Sequence, residues 1–334
     1  MAKGKQVYNR FFEQSKWDEV PKFNKDLIDD FLLELKSQGK SGGTIHQYFN
    51  DLRIICIYMH DELGNKEFHK LKKKHFRNMV LFFKEKGMSN ARVNRLKSSV
   101  SSMLEFASNE EDYEDLMEIN YASKVKGLQK ESVRDIVFLS WDEVEIIYNE
   151  LKEQERYQEA LLLALAIDSA GRRNELFQVK KDSITEDGSF TNEVIGKRGK
   201  KFRLMYNDLT KEAYDLYMKQ RGEDDIDSLW IIGKGENKRP ATYDALYNRV
   251  VSWRKILLDK TGEYKELNAH SWRHISLELL STGEHYLCKK LGKKFELNEL
   301  KLLAHHNDLS TTDSYLRDKS DDMLLAAFGI SEQV

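Results

Sequence analysis

The second half of the chain contains side chains that together suit nucleophilic chemistry at an anionic group: Arg172, Lys197, His270, Arg273, His306 and Tyr315. Two guanidiniums can bind anionic oxygens in a bidentate manner, which a lysine cannot do. A tyrosine becomes a nucleophile when its phenol, with a free pKa near ~10, loses a proton. Histidine and lysine side chains can accept or donate that proton.

Each of these residues also has an ordinary structural explanation. An arginine that follows a helix commonly forms a surface ion pair, and a lysine in a hairpin turn is commonly solvated. His270 and His274 have the i, i+4 spacing of half a zinc site or of two polar residues on a helix. Tyr315 could be an amphipathic core residue. No residue of the set is informative alone, and only their order along the chain points to a function.

Helices and one hairpin are predicted to position these residues. The apolar run at 160–167 predicts a buried helix just before Arg172. Two short apolar runs, at 193–195 and 202–206, flank the basic segment 196–201 and predict a β-hairpin with Lys197 in its turn. His270 and Arg273 lie on one side of a helix by their i, i+3 spacing. Ser140 and Glu143 form a capping box that opens this second unit, which begins near Ile136.

The first half of the chain reads as a small helical bundle. The segment Ser41-Gly-Gly-Thr44 supplies turn and N-cap chemistry before a helix on which Cys56 shares an apolar face with Leu52, Ile55 and Met59. The predicted fold class is therefore mainly α, with an all-helical N-terminal domain and a mostly helical C-terminal domain containing a small antiparallel sheet. The predicted boundaries are an N-terminal tail at 1–21, a helical domain at 22–107, a linker at 108–135, and a second domain with a C-terminal tail helix at 136–334.

Composition restricts the class of protein. A chain of 334 residues with 40% hydrophobic and 11% aromatic residues can bury two cores. We find neither a secretion signal nor an apolar run of the ~20 residues needed to cross a bilayer, so no membrane association is expected. Cys56 and Cys288 are the two cysteines, too few for a disulfide framework. This favours a reducing, cytoplasmic location.

Charge is unevenly distributed although the formal net charge is only −2. Residues 66–97 contain 11 Lys and Arg against two Glu, whereas residues 101–150 are net acidic. A nearly neutral total can therefore hide a basic face that binds DNA, although two solvated surfaces of opposite sign would give the same pattern.

The ordered combination resembles the catalytic signature of the tyrosine recombinase (phage integrase) family. Arg-x-x-Glu-Leu occurs at 172–176, Gly-Lys-x-x-Lys at 196–200, His-x-x-Arg-His at 270–274 and Thr-Thr-x-x-Tyr at 311–315. The resemblance covers residues 136–325 with specific motifs, and residues 22–107 are more weakly similar to the family's helical core-binding domain. It indicates the simple two-domain type, without an added arm-binding domain.

The resemblance implies a site-specific recombinase that cuts and rejoins DNA through a 3′-phosphotyrosine at Tyr315. Arg172 and Arg273 would bind the phosphate, His270 would accept the phenol proton, Lys197 would protonate the leaving 5′ oxygen, and His306 would hydrogen-bond the phosphate. Neither metal nor ATP is then required, so no cofactor is expected. The implied partners are a double-stranded recombination site and three further copies of the chain, in a tetramer on two sites. The expected DNA-contacting residues are Lys72, Lys73, Lys74, Arg77, Arg92, Arg95 and Lys97.

Some residues depart from the family pattern. His305 replaces the usual glycine before His306, which leaves either histidine as the phosphate contact, although a spacing of nine residues to Tyr315 selects His306. Trp272 stands where leucine is common, and the motif register selects Arg172 over Arg173. An apolar stripe at 323–328 is expected to dock on a neighbouring subunit, with packing on its own domain as the alternative. The functional alternatives are a type IB topoisomerase, a zinc-dependent nuclease or hydrolase, and a non-catalytic DNA-binding protein.

Overall fold

The computed structural model describes residues 10–129, 131 and 136–317, with the backbone but not the side chain of Arg198. The chain divides into two compact units, residues 1–135 and 136–334, called here the N-terminal and C-terminal units. Both are mainly helical, and strands occur only as small antiparallel pairs in the described part of the C-terminal unit. The predicted fold class is confirmed. The tail segment 323–328 lies outside the described residues.

Local sequence signals fix the helices of the N-terminal unit. The Ser41 hydroxyl accepts a hydrogen bond from the Thr44 amide at 3.2 Å, as the sequence predicts, and the Ser89 hydroxyl accepts one from the Arg92 amide, so both helices begin at a serine cap. Gly64 ends the longest helix with a φ of 60°. The helices of this unit are α1 (Gln14–Asp18), α2 (Lys22–Ser37), α3 (Gly42–Leu63), α4 (Lys73–Glu85) and α5 (Asn90–Ala107).

The core of this unit extends beyond the predicted helical domain in both directions. Trp17, inside the predicted tail, packs edge-on against Phe49 with ring centroids 6.0 Å apart. Tyr113 and Met117, inside the predicted linker, are buried with the aromatic and aliphatic residues of α2 to α5. Isolated apolar anchors in an acidic segment have no helical or strand period, so the sequence pattern does not reveal that the segment is packed.

The C-terminal unit begins with the predicted capping box, in which the Ser140 hydroxyl and the Glu143 carboxylate each accept an amide hydrogen bond. The predicted apolar helix is buried along its length. The helices of this unit are α6 (Trp141–Glu153), α7 (Tyr157–Ser169), α8 (Arg173–Phe177), α9 (Asp208–Arg221), α10 (Tyr243–Thr261), α11 (Ser271–Thr282), α12 (Tyr286–Leu291), α13 (Leu297–Leu303) and α14 (Leu309–Asp313).

The predicted hairpin is confirmed. Strands β1 (Phe190–Ile195) and β2 (Lys201–Met205) pair antiparallel, with Val194 opposite Phe202, and a single 3-10 turn at Lys197–Gly199 joins them. A second pair, β3 (Ile231–Ile232) with β4 (Arg239–Pro240), was not predicted, because strands of two residues are too short to show a period. Among the helices of the described residues, none has the length and apolarity that a membrane span requires.

Candidate active site

Five of the six predicted residues converge within the C-terminal unit. Arg172 directly precedes α8, His270 and Arg273 lie at the start of α11, and His306 and Tyr315 flank α14. Three separate stretches of chain therefore meet at one place. The cluster of Arg172, His270, Arg273, His306 and Tyr315 is called here the cationic site.

The Tyr315 ring lies at the centre of the cationic site and is only 9% exposed. It stacks on His274 at 4.4 Å between ring centroids, and the rings of His306 and His270 lie at 5.0 and 5.3 Å. The guanidinium carbon of Arg273 is 5.2 Å from the ring centroid. The phenol is thus surrounded by three imidazoles and a cation.

Arg273 is the buried charge of the site, with a relative exposure of 1%. Its terminal nitrogens donate to the carbonyl oxygens of Ala170, at 2.6 Å, and Ala304, and one of them also donates to His306 Nε2 at 2.7 Å. Its Nε–H has no hydrogen-bond partner among the described residues. A buried cation with an unpaired N–H donor is suited to binding an anionic oxygen. Burial and the neighbouring Arg172 lower the pKa of Arg273 to about 10, which leaves it charged at neutral pH.

The backbone before Arg172 is shaped to present the Ala170 carbonyl to Arg273. Ala170 ends α7 in the left-handed region with a φ of 49°. Gly171 follows, and a Cβ there would lie 2.9 Å from the Ser169 hydroxyl and 3.0 Å from Leu176. Only glycine fits this close packing without a shift of its neighbours.

Glu175 interacts with both arginines. In the sequence it stands out only as a member of the Arg-x-x-Glu-Leu motif. This buried carboxylate accepts from Arg172 at 2.9 Å and from the Arg172 amide at 2.8 Å, and it lies 3.9 Å from Arg273. Two guanidiniums share one carboxylate, so the site keeps an excess positive charge. The i, i+3 spacing of Arg172 and Glu175 is the signal from which this pairing could have been predicted.

His306, rather than His305, contacts Arg273. Its Nε2 receives a hydrogen bond from Arg273, so its Nδ1 carries the proton and donates to the Thr312 hydroxyl at 3.0 Å. Burial, reinforced by the charges of Arg273 and Arg172, lowers the pKa of His306 to about 3. The ring is therefore neutral, and it serves as an acceptor that orients the guanidinium.

His305 points instead to the hairpin, where its ring stacks on Phe202 with centroids 3.9 Å apart. Its backbone φ is 53°, in the left-handed region. For a residue with a Cβ, the left-handed conformation is less stable than the right-handed one by about 1–2 kcal/mol, which explains why glycine suits this position.

His270 and His274 complete the surroundings of the phenol. Desolvation, reinforced by His274 and the two arginines, lowers the pKa of His270 to about 4, so this imidazole at the rim of the site is neutral and able to accept a proton. His274 donates from Nδ1 to the Tyr315 carbonyl at 3.0 Å. The His-x-x-Arg-His motif and the i, i+4 spacing from His270 both drew attention to His274, but its double contact with Tyr315 could not be predicted from spacing.

Lys197 is the sixth predicted residue and is not part of the cationic site as defined above. It is exposed in the hairpin turn, and no hydrogen bond or ion pair joins it to another described side chain. Lys200 of the same turn reaches the segment beside the cationic site, where its Nζ donates to the His305 carbonyl at 3.2 Å and to Asn307 Oδ1 at 3.4 Å.

The predicted DNA-contacting residues fall into two groups. Lys72, Lys73, Lys74 and Arg77 are exposed where α4 begins. Arg92 and Arg95 of α5 instead bind the fully buried Asp51, at 2.6 and 3.1 Å, and Lys97 is half-buried. The second pair therefore has a structural partner, which the basic pattern of the sequence did not reveal because Asp51 lies 41 residues earlier.

The imidazoles do not converge on a common point, as a zinc site would require. His306 faces Arg273, and His305 faces Phe202. Within residues 10–129, 131 and 136–317, no group of three or more His, Cys, Asp or Glu side chains has a geometry suited to a metal ion.

The chain is similar in sequence to known proteins. Residues 28–111 match the family model described as phage integrase, N-terminal SAM-like domain. The SPbeta prophage-derived recombinase-like protein YomM of Bacillus subtilis (strain 168) is 28% identical over 323 residues, which cover 92% of each protein.

Solved structures share the fold. A lambda integrase tetramer bound to a Holliday junction matches with a TM-score of 0.67 and 17% identity, over 88% of this chain and 77% of that one. The Tn1549 transposon integrase in complex with a circular intermediate DNA matches with a TM-score of 0.65 and 15% identity, over 91% and 98% of the two chains. At such low identity these two likenesses establish the fold alone.

The buried neutral imidazole of His306 predicts a dependence of stability on pH. Its pKa is lower in the folded chain than in the unfolded chain, so between about pH 6.5 and about pH 3 the unfolded chain binds the extra proton. The stabilisation is fully present above about pH 6.5 and is lost as the pH falls, by up to about 1.4 kcal/mol per pH unit. Urea unfolding between about pH 7 and about pH 5 should show the loss.

The variant His306→Gln isolates this contribution, because glutamine does not titrate. Its free energy of unfolding should fall less steeply with acid than that of the wild type. His46→Gln, at an exposed position, is the matched control and should keep the wild-type slope. Equal slopes for His306→Gln and the wild type would contradict the assignment.

Proposed function

We propose that the chain is a tyrosine recombinase of the phage integrase type, and that it recombines specific DNA sites through a covalent link between Tyr315 and a DNA 3′-phosphate. The observation that carries the proposal is the position of the buried Arg273, whose guanidinium carbon lies 5.2 Å from the centroid of the Tyr315 ring. Guanidiniums in a desolvated site stabilise the charge that develops on phosphate oxygens, typically the largest catalytic contribution.

In the proposed cleavage reaction, the groups of the cationic site and Lys197 have the following roles. Arg172 and Arg273 bind the two non-bridging oxygens. The Tyr315 oxygen attacks phosphorus while its proton passes to the neutral His270, and the bond from phosphorus to the 5′ oxygen breaks. Lys197 gives a proton to that leaving oxygen, which becomes a free 5′ hydroxyl. Attack of a 5′ hydroxyl on the phosphotyrosine reverses these steps and rejoins a strand.

His306 acts in this proposal through Arg273. Its Nε2 accepts from Arg273 and its Nδ1–H donates to Thr312, so in this tautomer it has no proton to offer the phosphate. Direct donation to the phosphate, as the family resemblance implied, would require a proton on Nε2. We therefore assign His306 to orienting Arg273.

The reaction as proposed needs neither ATP nor a metal ion. The phosphotyrosine bond conserves the energy of the phosphodiester, so rejoining is nearly balanced in free energy. The charge that a metal would supply is already provided by Arg172 and Arg273, with Glu175 neutralising only one of them.

DNA binding is assigned first to the exposed Lys72, Lys73, Lys74 and Arg77, and then to the half-buried Lys97 of α5. The positive end of the helix dipole repels the three lysines at the start of α4. Binding of DNA phosphates there would offset this repulsion. Arg92 and Arg95 can also contact DNA, but Asp51 already neutralises part of their charge.

Recombination joins two duplexes, so we propose that four copies assemble on two sites, as four lambda integrase protomers do on a Holliday junction. The protein would then be associated with DNA in the cytoplasm. The apolar stripe at 323–328 remains our candidate for a contact between copies.

Replacement of the nucleophile tests the proposal. Tyr315→Phe should abolish the covalent protein–DNA adduct on a duplex site while the dissociation constant for DNA stays within about twofold, because only the attacking oxygen is removed. Tyr264→Phe, at a 60% exposed tyrosine, is the matched control and should form the adduct normally. Wild-type adduct formation should persist in EDTA. An adduct with Tyr315→Phe, or its loss in EDTA, would contradict the mechanism.

The basic start of α4 predicts a salt dependence. Replacing Lys72, Lys73 and Lys74 by alanine should reduce the slope of log affinity against log salt concentration by about two to three, because each lysine that neutralises a phosphate contributes about 0.9. Binding titrations over a series of salt concentrations measure this slope. Lys22→Ala combined with Lys36→Ala, at exposed positions of α2, should leave it unchanged. An unchanged slope in the triple variant would remove these lysines from the DNA interface.

A further inference from the structure

His305 occupies a backbone conformation that its side chain makes unfavourable. Its φ of 53° belongs to the left-handed region, where a glycine would be free of strain. Because the chain carries histidine there, the imidazole must make contacts that offset the backbone cost, or the position would be a source of instability.

The contact that offsets it is with the hairpin. The His305 imidazole lies nearly parallel to the Phe202 ring, with 3.9 Å between centroids and 25° between planes. Both residues are half-buried. Stacked aromatic rings attract each other beyond the area that they bury. Phe202 belongs to β2, so this contact joins the hairpin to the segment between α13 and α14.

Phe202 also shapes the turn that carries Lys197. A Cβ on Gly196 would lie 2.5 Å from Phe202 Cε1, so the aromatic ring occupies the space that a side chain at Gly196 would need. The Gly196 amide donates to the Lys200 carbonyl at 2.7 Å and closes the turn. The ring that stacks on His305 therefore lies directly against the residue before Lys197.

Lys200 provides a second connection between the same two segments. Its Nζ donates to the His305 carbonyl at 3.2 Å and to Asn307 Oδ1 at 3.4 Å. The two contacts bracket His306, which itself binds Arg273. The turn is thus connected to the cationic site on both sides of His306.

We propose that His305 is a positioning residue that fastens the hairpin turn bearing Lys197 to the segment bearing His306 and Tyr315. This proposal rests on the function proposed above. Lys197 makes no hydrogen bond or ion pair with any other described side chain, so its placement depends on how the turn is held. The stack of His305 on Phe202 and the Lys200 contact hold the turn next to the nucleophile segment, which places the proton donor for the leaving oxygen.

Substitutions at His305 distinguish the effect of the stacking ring from the effect of the strained backbone conformation. His305→Gly removes the stack and relieves the backbone, and adduct formation on a nicked duplex site should slow by about tenfold or more, because the acid is less well placed. His305→Asn, which tolerates a positive φ but cannot stack, should behave similarly. His305→Phe keeps a stacking ring and should retain a rate within about threefold of the wild type. DNA binding should be unaffected in all three. A wild-type rate for His305→Gly would overturn the proposal.

A change of leaving group tests whether the defect concerns the proton donor. In DNA with sulfur in place of the bridging 5′ oxygen, the leaving thiolate needs no proton. The deficits of His305→Gly and Lys197→Ala should both largely disappear on this substrate, whereas that of Arg273→Ala should remain. A His305→Gly deficit that persists with the sulfur leaving group would show that the residue acts elsewhere in the site, and would overturn the assignment.

Hydrogen exchange tests the connection without any DNA chemistry. In the full-length protein, His305→Gly should speed amide exchange at residues 196–202, and Phe202→Leu should do the same, with little further effect in the double variant. Unchanged exchange would overturn the proposal even if the enzyme is active. If the wild type formed no adduct while exchange responded as expected, the proposed function would fail but the connection would stand.

Discussion

The burial of one guanidinium determines the rest of the site. Arg273 is almost fully removed from solvent, and such a charge is tolerated only when it has hydrogen-bond partners. Its terminal nitrogens donate to the Ala170 carbonyl at the end of α7, and to the Ala304 carbonyl and the His306 ring in the segment that follows α13. Satisfying Arg273 therefore brings the ends of α7 and α13 together, and Tyr315 packs beside the charge as a result.

The same burial explains the chemistry available to the neighbouring groups. Desolvation and the two arginines keep His270 and His306 neutral, so one can accept a proton and the other can accept a hydrogen bond from Arg273. Glu175 limits the repulsion between the arginines without cancelling both charges. The site is thus preorganised for an anion before any DNA arrives, which is how an enzyme avoids reorganisation during the reaction.

The sequence was sufficient for the mainly helical fold, the hairpin, the capping box at Ser140 and the resemblance to a family, because each has a local period or an ordered motif. It could not predict contacts made across long separations. Asp51 binds Arg92 and Arg95, Tyr113 and Met117 are buried within a polar segment, and His274 stacks on Tyr315. These contacts depend on how segments meet in space. The different surroundings of His305 and His306 likewise could not be predicted, because they follow from the hydrogen bond between Arg273 and His306 and from the backbone φ of His305.

The most direct test is to identify the residue that becomes joined to DNA. The adduct formed on a duplex recombination site would be digested with protease and nuclease, and the modified peptide sequenced by mass spectrometry. The proposed mechanism predicts a nucleotide linked through its 3′-phosphate to Tyr315, with a 5′ hydroxyl on the released strand. Attachment at another residue, or through a 5′-phosphate, would contradict it.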